Sequence, residues 1–196
     1  MRKSFAVVLL VSVVACGGGS EDRVFKPEQL KGLLLRAEEA PVGTELDASA
    51  SGPRELVRFT GDSKYQRKLE GAGFVTSYFM FFHNQLKSRT AALTVVADSY
   101  AILFKDALAA QRGMEIIEEH IRSDGQDLRN IPAEGLGEDS LGVAGNFDPG
   151  GILPPGFQYI WRIGNVVFGL VGAGPENTIR ENAVRALAER MEARAH

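Results

Sequence analysis

Apolar and polar positions alternate most regularly near the end of the chain. Every second residue from position 157 to position 163 is aromatic or aliphatic, which is the period of a β-strand. Gly164-Asn165 follows as a two-residue turn signal, and the alternation resumes from position 166 to position 170. The pattern therefore predicts a β-hairpin. Its core-facing side chains are expected to be Tyr159, Trp161, Val166, Phe168 and Leu170.

Three further segments carry apolar residues at helical spacing. They are residues 27–37, residues 107–124 and residues 176–194. Asp106 suits the N-cap of the second helix, because a carboxylate accepts hydrogen bonds from backbone N–H groups of the first turn. Gly125 is expected to end that helix. The predicted inner stripes are Ala107, Met114, Ile117 and Ile121 in the second helix, and Ile179, Ala183, Leu187 and Met191 in the third.

The remaining apolar segments favour strands. Residues 74–83 hold five aromatic side chains, residues 91–104 are rich in aliphatic residues, and residues 55–60 form a short third candidate. Residues 43–54 are small and polar and indicate a loop. The whole pattern predicts one α+β domain over residues 25–196. It consists of an antiparallel sheet with packed helices, and it ends in a β-hairpin and a C-terminal amphipathic helix.

The N-terminus has the three-part layout of a secretory signal peptide. A basic start precedes an apolar run from position 5 to position 14, and Val13-Val14-Ala15-Cys16 closes it. The run of about ten residues is too short to cross a bilayer. The motif resembles the lipobox of bacterial lipoproteins, and an ordinary cleaved signal peptide is the alternative. Cys16 is the only cysteine, so it cannot form an intramolecular disulfide.

The lipoprotein resemblance has consequences for processing and location. It implies removal of residues 1–15 and attachment of a palmitate-type lipid to Cys16. The protein would then be exported and anchored to the membrane through that lipid, with its domain outside the cytoplasm. Residues 16–24 contain a Gly-Gly-Gly-Ser run after the cysteine, which is typical of a flexible tether.

Charge narrows the range of partners. Removing Arg2 and Lys3 with the signal peptide leaves 20 of the 22 basic residues against 25 acidic ones. A chain that is net acidic lacks the basic surface typical of nucleic-acid-binding proteins. We therefore expect no nucleic-acid partner.

The residues that commonly carry catalysis do not form a known catalytic pattern. His83 and His120 lack the spacing of a zinc protease, and Ser140 lacks the preceding glycine of a nucleophile elbow. The sequence predicts no metal site and no cofactor, and we expect a protein that is not an enzyme. An envelope hydrolase remains the enzymatic alternative, because folding can bring distant groups together.

The segment 146–156 is the candidate recognition surface. It carries Phe147, Ile152 and Leu153, and its three prolines restrict its freedom, which lowers the entropy lost on binding. Trp161 on the adjacent strand is a further candidate ligand contact, although its alternation predicts a core position. The alternative for the segment is a plain connector whose apolar residues pack onto the sheet.

Short motifs in the second half of the chain carry another resemblance. Gly135-Leu136-Gly137-Glu138-Asp139 is followed by Arg162-Ile163-Gly164-Asn165-Val166-Val167 and then by the closing helix. This order resembles exported domains of Gram-positive lipoproteins and extracellular sensor domains of mycobacterial serine/threonine kinases. The resemblance implies an α+β domain that binds an envelope ligand or protein. A structural or assembly lipoprotein is a further alternative.

Overall fold

The computed structural model describes residues 23–55, 63–84, 95–147, 154–175 and 178–196. The signal peptide, Cys16, Ile152 and Leu153 lie outside the described residues. Two short 3₁₀ turns, Pro27–Gln29 and Ala37–Glu39, flank the first helix. The elements in chain order are α1 (Leu30–Leu33), β1 (Glu45–Leu46), β2 (Gly52–Arg54), α2 (Ser63–Ala72), β3 (Phe74–His83), β4 (Val96–Phe104), α3 (Ala107–Asp124), β5 (Gln126–Ile131), β6 (Asp139–Asn146), β7 (Gly156–Ile163), β8 (Val166–Ala173) and α4 (Glu181–Arg194).

The eight strands within the described residues form a single antiparallel sheet. Its order is β1-β3-β4-β8-β7-β6-β5, and β2 also pairs with β3. Strands β4 and β8 are neighbours although three other strands lie between them in sequence. Helices pack on both faces of this sheet, so the predicted α+β class is confirmed.

The predicted hairpin is present. Ile163 pairs with Val166 across the turn, and Tyr159 and Trp161 pair with Leu170 and Phe168. Gly164 has a φ of 53°, a left-handed conformation that glycine adopts readily. A Cβ at this position would also lie 1.8 Å from the Arg23 carbonyl oxygen. The turn therefore requires glycine for two reasons.

The first face of the sheet carries the larger core. All five side chains predicted for the hairpin core are fully buried here. Trp161 is 0% exposed and stacks on Phe168 with ring centroids 5.5 Å apart. Helices α1 and α4 cover this face through Leu30, Val184 and Met191. This face is therefore closed by side chains from both ends of the chain.

The second face is covered by α2 and α3. Helix α3 begins at the predicted cap, since the Asp106 carboxylate accepts a hydrogen bond of 2.7 Å from the Ala109 N–H. Gly113 allows α3 to approach the sheet, because a Cβ there would lie 2.1 Å from the Phe104 ring. The two helices lie over one end of the strands, where they cover Ile102 and Val167.

Two helices differ from their predictions. The first is only Leu30–Leu33, because Leu34 is extended and the Leu35 N–H donates to the Ser99 hydroxyl instead of continuing the helix. In the C-terminal helix the buried stripe is Val184, Ala188 and Met191, whereas Ala183 is exposed. The predicted stripe advanced by four residues at each step, and that spacing drifts away from one face of a helix with 3.6 residues per turn.

Several elements were not predicted. Helix α2 and strands β5 and β6 are new, and the expected loop over residues 43–54 contains β1 and β2. Most of the strand candidate at residues 55–60 lies outside the described residues, as do residues 91–94 before β4. The prediction for β3 matches its observed bounds.

Candidate functional site

The motifs that carry the kinase-sensor resemblance meet at the hairpin turn. The Arg162 side chain, 8% exposed, forms ion pairs with Glu138 and with Asp139. The Gly164 N–H donates to Glu138 Oε1 at 2.9 Å, and the Glu138 N–H donates to the Arg162 carbonyl. Gly137 has a φ of 54°, and a Cβ there would lie 2.3 Å from the Arg162 carbonyl oxygen. We call Gly137, Glu138, Asp139, Arg162, Gly164 and Asn165 the turn cluster.

Asn165 joins the turn cluster to the rest of the domain. Its amide accepts a hydrogen bond from the Phe25 N–H at 2.7 Å and donates to the carbonyls of Phe25 and Phe104. It therefore connects the N-terminal segment, the hairpin and β4. The polar groups of the turn cluster bind one another, so these motifs stabilise the fold.

A cleft lies at the opposite end of the same strands. Helices α2 and α3 leave this end of the second face open, and the space has a volume of about 390 Å³. Volumes of ~300–1,000 Å³ are typical of small-molecule sites. The cleft is lined by Arg54, Tyr65, Phe79, Phe81, Asp98, Tyr100, Ile117, His120, Ile121, Asp124, Gly125, Phe147, Gln158 and Val171.

Strand register brings the floor of the cleft together. Side chains at cross-strand partners lie on the same face of a sheet. Phe81 pairs with Asp98, which pairs with Val171, which in turn pairs with Gln158. A second row places Phe79 beside Tyr100. The floor therefore draws on four strands, β3, β4, β8 and β7.

Two aromatic rings and one cation form the most distinctive part of the floor. The Phe79 and Phe81 rings are nearly parallel, at 8°, with centroids 5.7 Å apart. The Arg54 guanidinium lies over both, 5.3 Å from the Phe79 centroid and 4.7 Å from that of Phe81. Both distances are within the cation–π range of ~6 Å. The two rings therefore present a face to the same side, and we call them the aromatic platform.

Tyr100 crosses β8 to reach the other half of the floor. Its ring lies where a side chain of residue 169 would be, since a Cβ on Gly169 would be 2.0 Å from Tyr100 Cζ. Its hydroxyl accepts a hydrogen bond of 3.2 Å from the Gln158 amide. Burial raises the pKa of Tyr100, so the hydroxyl keeps its proton at neutral pH. Gly169 thus permits a fixed link between β4 and β7.

An acidic group and a histidine lie beside the platform. The Asp98 carboxylate, 18% exposed, is 3.1 Å from His83 Nε2. This hydrogen bond raises the pKa of His83 above its ordinary value. Burial raises the pKa of Asp98, and the contact with His83 partly offsets that shift. The hydrogen bond to Asp98 therefore favours the protonated form of His83.

The opposite wall comes from the helices. His120 of α3 stacks on Tyr65 of α2 with ring centroids 4.0 Å apart, and its Nδ1 is 3.4 Å from Asp124. Phe147, at the end of β6, completes the wall. The cleft is therefore bounded by aromatic rings on two sides and carries polar groups along its edges.

The predicted site residues are dispersed. Phe147 lines the cleft, and its role in recognition stays a prediction. Trp161 lies in the core of the first face, where no surface is exposed to a ligand. Ile152, Leu153 and Cys16 lie outside the described residues. Sequence reasoning missed Arg54, Asp98, Tyr100 and Gln158, although the aromatic alternation of β3 indicated one side of the floor.

The three candidate catalytic residues do not meet. His83 contacts Asp98, and His120 contacts Tyr65. Ser140 pairs with Trp161 in the sheet and therefore lies on the first face, where its hydroxyl donates to the Ala133 carbonyl. Within the described ranges, no group of three or more His, Cys, Asp or Glu residues could hold a metal ion.

Comparison with known proteins bears on the fold. No protein-family model matches the chain, and no curated protein is similar to it in sequence. The crystal structure of the extracellular domain of the kinase PknH from Mycobacterium tuberculosis is similar in fold, with a TM-score of 0.55 and 10% sequence identity. The match covers 88% of this chain and 97% of that one. None of the helices in the described segments is both long and apolar enough to span a membrane. The expected likeness to an extracellular kinase domain is confirmed at the level of the fold.

Proposed function

We propose that this protein is an exported, lipid-anchored binding domain with a sensor-like role, and that its ligand occupies the cleft. The observation that carries the proposal is the cleft floor, where an aromatic platform lies beside Arg54, Asp98 and Gln158. Concave sites with aromatic walls and a few fixed polar groups are the usual form of small-molecule sites. The similar fold of an extracellular kinase domain supports a role outside the cytoplasm.

The position of the tether supports the same proposal. Phe25 is bonded to Asn165 at the hairpin turn, and the cleft lies about six residues further along the strands, or roughly 20 Å. Because the chain enters the domain at the turn cluster, an anchor at Cys16 would be attached at the end of the domain away from the cleft. The anchor would therefore leave the cleft accessible to an envelope ligand.

We infer that the protein binds its ligand without catalysing a reaction on it. His83, His120 and Ser140 each have a structural partner, and Ser140 lies on the face opposite the cleft. Binding without turnover is therefore the simpler use of this site.

Equilibrium dialysis against a muramidase digest of ¹⁴C-labelled cell walls from the encoding organism tests the cleft. We expect the protein to retain label, and Val171→Trp to retain little, because the indole would fill the floor between Asp98 and Gln158. Val42→Trp is the matched control, since Val42 is fully exposed and does not line the cleft.

The outcomes separate the candidate functions. Equal retention by Val171→Trp and Val42→Trp, or no retention by the unmodified protein, contradicts the proposal. Mass spectrometry of the dialysate adds a second readout, because new cleavage products would favour the hydrolase alternative. Both variants are first checked for native folding by circular dichroism.

The anchor is tested separately. Cys16→Ser should abolish labelling by a radioactive fatty acid and release the protein from the membrane fraction, because serine lacks the thiol that receives the lipid. Ser20→Ala in the tether is the control and should be labelled normally. An unmodified Cys16 at the start of the mature protein would contradict the proposed anchor.

A further inference from the structure

A second concave site lies on the first face of the sheet, beside helix α4. It is a groove of about 290 Å³ between that helix and residues 39–41, above strands β4 and β8. We propose, independently of any ligand in the cleft, that this groove binds a free fatty acid. The single acyl chain would lie along α4, with the carboxylate of the ligand on Arg190.

The floor of the groove is apolar and closed. Ala97 of β4 and Gly172 of β8 are cross-strand partners, and Leu170 lies on the same face of β8 because side chains alternate along a strand. Ala97 is 1% exposed and Leu170 is 0% exposed. The small residues at the paired positions leave space above the sheet, and a ligand in that space would gain most of its contacts from the walls.

The walls are apolar and only partly covered. Ile179, Ala183 and Leu187 belong to the stripe that the sequence predicted to be buried, and they line the groove instead. Ile179 and Leu187 are half-buried and Ala183 is exposed, while Pro41 lies on the opposite wall. Because covering apolar surface is favourable, these side chains would be stabilised by an apolar ligand between the walls.

The size of the groove favours a single chain. Its volume is near the lower end of the ~300–1,000 Å³ that is typical of small-molecule sites. The lining residues Ala183, Leu187 and Arg190 follow one side of α4, over ~10 Å of helix length. An unbranched acyl chain suits a narrow space of this kind, whereas the two chains of a phospholipid would exceed its volume.

The charge at one end of the groove favours an anionic head group. Arg190 is exposed there, and among the described residues no carboxylate forms an ion pair with it. Glu39, the acidic residue of the described lining, is 2.6 Å from Arg194. A guanidinium binds a carboxylate through two parallel hydrogen bonds. The carboxylate of a fatty acid would therefore supply the partner that Arg190 lacks.

Titration with amphiphiles of defined length and charge tests the fatty-acid assignment. Isothermal titration calorimetry is carried out with octanoate, decanoate and laurate, all below their critical micelle concentrations. We expect the affinity to rise by about fourfold for each buried methylene group. Laurate should bind more tightly than dodecanol and dodecyltrimethylammonium. Absence of laurate binding, or tighter binding of the ammonium compound, would contradict the assignment.

A substitution that fills the groove tests its location. Ala183→Phe places a ring between the walls and should weaken laurate binding by at least about tenfold. Ala193→Phe is the matched control, because Ala193 is also exposed on α4 and does not line the groove. Both positions are exposed, so both variants are expected to fold, and circular dichroism checks this. Equal affinity in the two variants would place the ligand elsewhere.

A change of charge tests the role of Arg190. Arg190→Gln should weaken laurate binding by about fivefold and leave dodecanol binding unchanged, because the alcohol carries no charge. Arg112→Gln is the control, since Arg112 is exposed on α3 and does not line the groove. If Arg190→Gln bound laurate as tightly as Arg112→Gln does, the carboxylate would not lie on Arg190.

Two further measurements separate the other possible occupants of the groove. Sedimentation with phosphatidylglycerol vesicles detects a membrane contact, and analytical ultracentrifugation detects a second copy of the chain. Vesicle binding or a dimer that Ala183→Phe abolishes, without laurate binding, would contradict the fatty-acid assignment. Retention of the wall digest without laurate binding would leave the proposed function standing and the groove without its proposed ligand.

Discussion

Two groups of polar side chains lie at opposite ends of the same strands, and they differ in what surrounds them. In the turn cluster, Arg162 and Glu138 are 8% and 12% exposed, and each is bonded within the cluster. In the cleft, Arg54 and Asp98 line a space of about 390 Å³ together with aromatic side chains. The motifs that are easiest to recognise in the sequence therefore belong to the packed end. The open end, where a ligand could bind, is made of residues scattered over the chain.

The largest expected difference between the two ends is in packing. Trp161→Ala should lower the free energy of unfolding by about 3–5 kcal/mol, as for other large-to-small changes in a core. The matched change at the open end, Phe81→Ala, should cost no more than about 1–2 kcal/mol because that ring is only partly buried. Urea unfolding of both variants measures the difference, and equal losses would contradict the distinction between the two ends.

Removing a buried charge at the turn should have the next largest effect. Arg162→Met leaves Glu138 buried without its ion-pair partner, which typically costs about 3 kcal/mol or more. The control is Arg129→Met, because the pair between Arg129 and Glu181 is exposed and such pairs contribute about 0–1 kcal/mol. If both variants unfolded at the same urea concentration, the turn cluster would not stabilise the fold as described.

The contact between Tyr100 and Gln158 across β8 should be sensitive to a single methyl group added at residue 169. Gly169→Ala places a Cβ in the space of the Tyr100 ring and should cost about 1–3 kcal/mol through overpacking. Gly71→Ala in helix α2 is the control, because nothing lies near its added Cβ and alanine favours a helix by about 0.5–1 kcal/mol. Thermal unfolding measures the effect. An unchanged melting temperature in Gly169→Ala would contradict the prediction, because it would mean that the Tyr100 ring can move aside without a loss of stability.

The smallest effect is a pH dependence at the open end. The pKa of His83 is raised by Asp98, so the stabilisation is complete below the ordinary value of 6.5 and is lost as the pH rises through the folded-state pKa. The raised pKa of Asp98 acts in the same direction, since its ionisation is disfavoured in the folded protein.

Replacement of the histidine sharpens this test. His83→Gln should remove about 0.5 kcal/mol of the stability difference between pH 5.5 and pH 8.5, a small value because His83 is 38% exposed. Urea titrations of both proteins at the two pH values measure it. An unchanged pH dependence in His83→Gln would show that the pair contributes nothing to it.

The alternation of apolar residues and a helix cap in the sequence predicted two elements of the fold correctly. The hairpin follows from strict alternation around Gly164-Asn165, and helix α3 follows from its Asp106 cap. Helix α2 carried a usable signal that was missed, because Tyr65, Leu69 and Ala72 recur at helical spacing. Strand β5 carried no such signal, since it is an edge strand with mostly exposed polar residues.

The cleft could not be predicted in the same way. It depends on the pairing of β4 with β8, which are distant in sequence, and on a gap that α2 and α3 leave over the sheet. Tyr100 and Gln158 are 58 positions apart, and no local pattern predicts that their side chains meet. Phe147 was identified only because it belongs to an apolar segment that also contains turn residues.

Chemical-shift mapping tests the central claim, that the open end binds a ligand and the packed end does not. The ¹H–¹⁵N spectrum of the protein is recorded with and without the muramidase digest. We expect shifts at the backbone amides of Phe81, Tyr100 and Gln158, with the amides of Gly164 and Asn165 unchanged. Shifts confined to the turn cluster, or a spectrum that does not change at all, would contradict it.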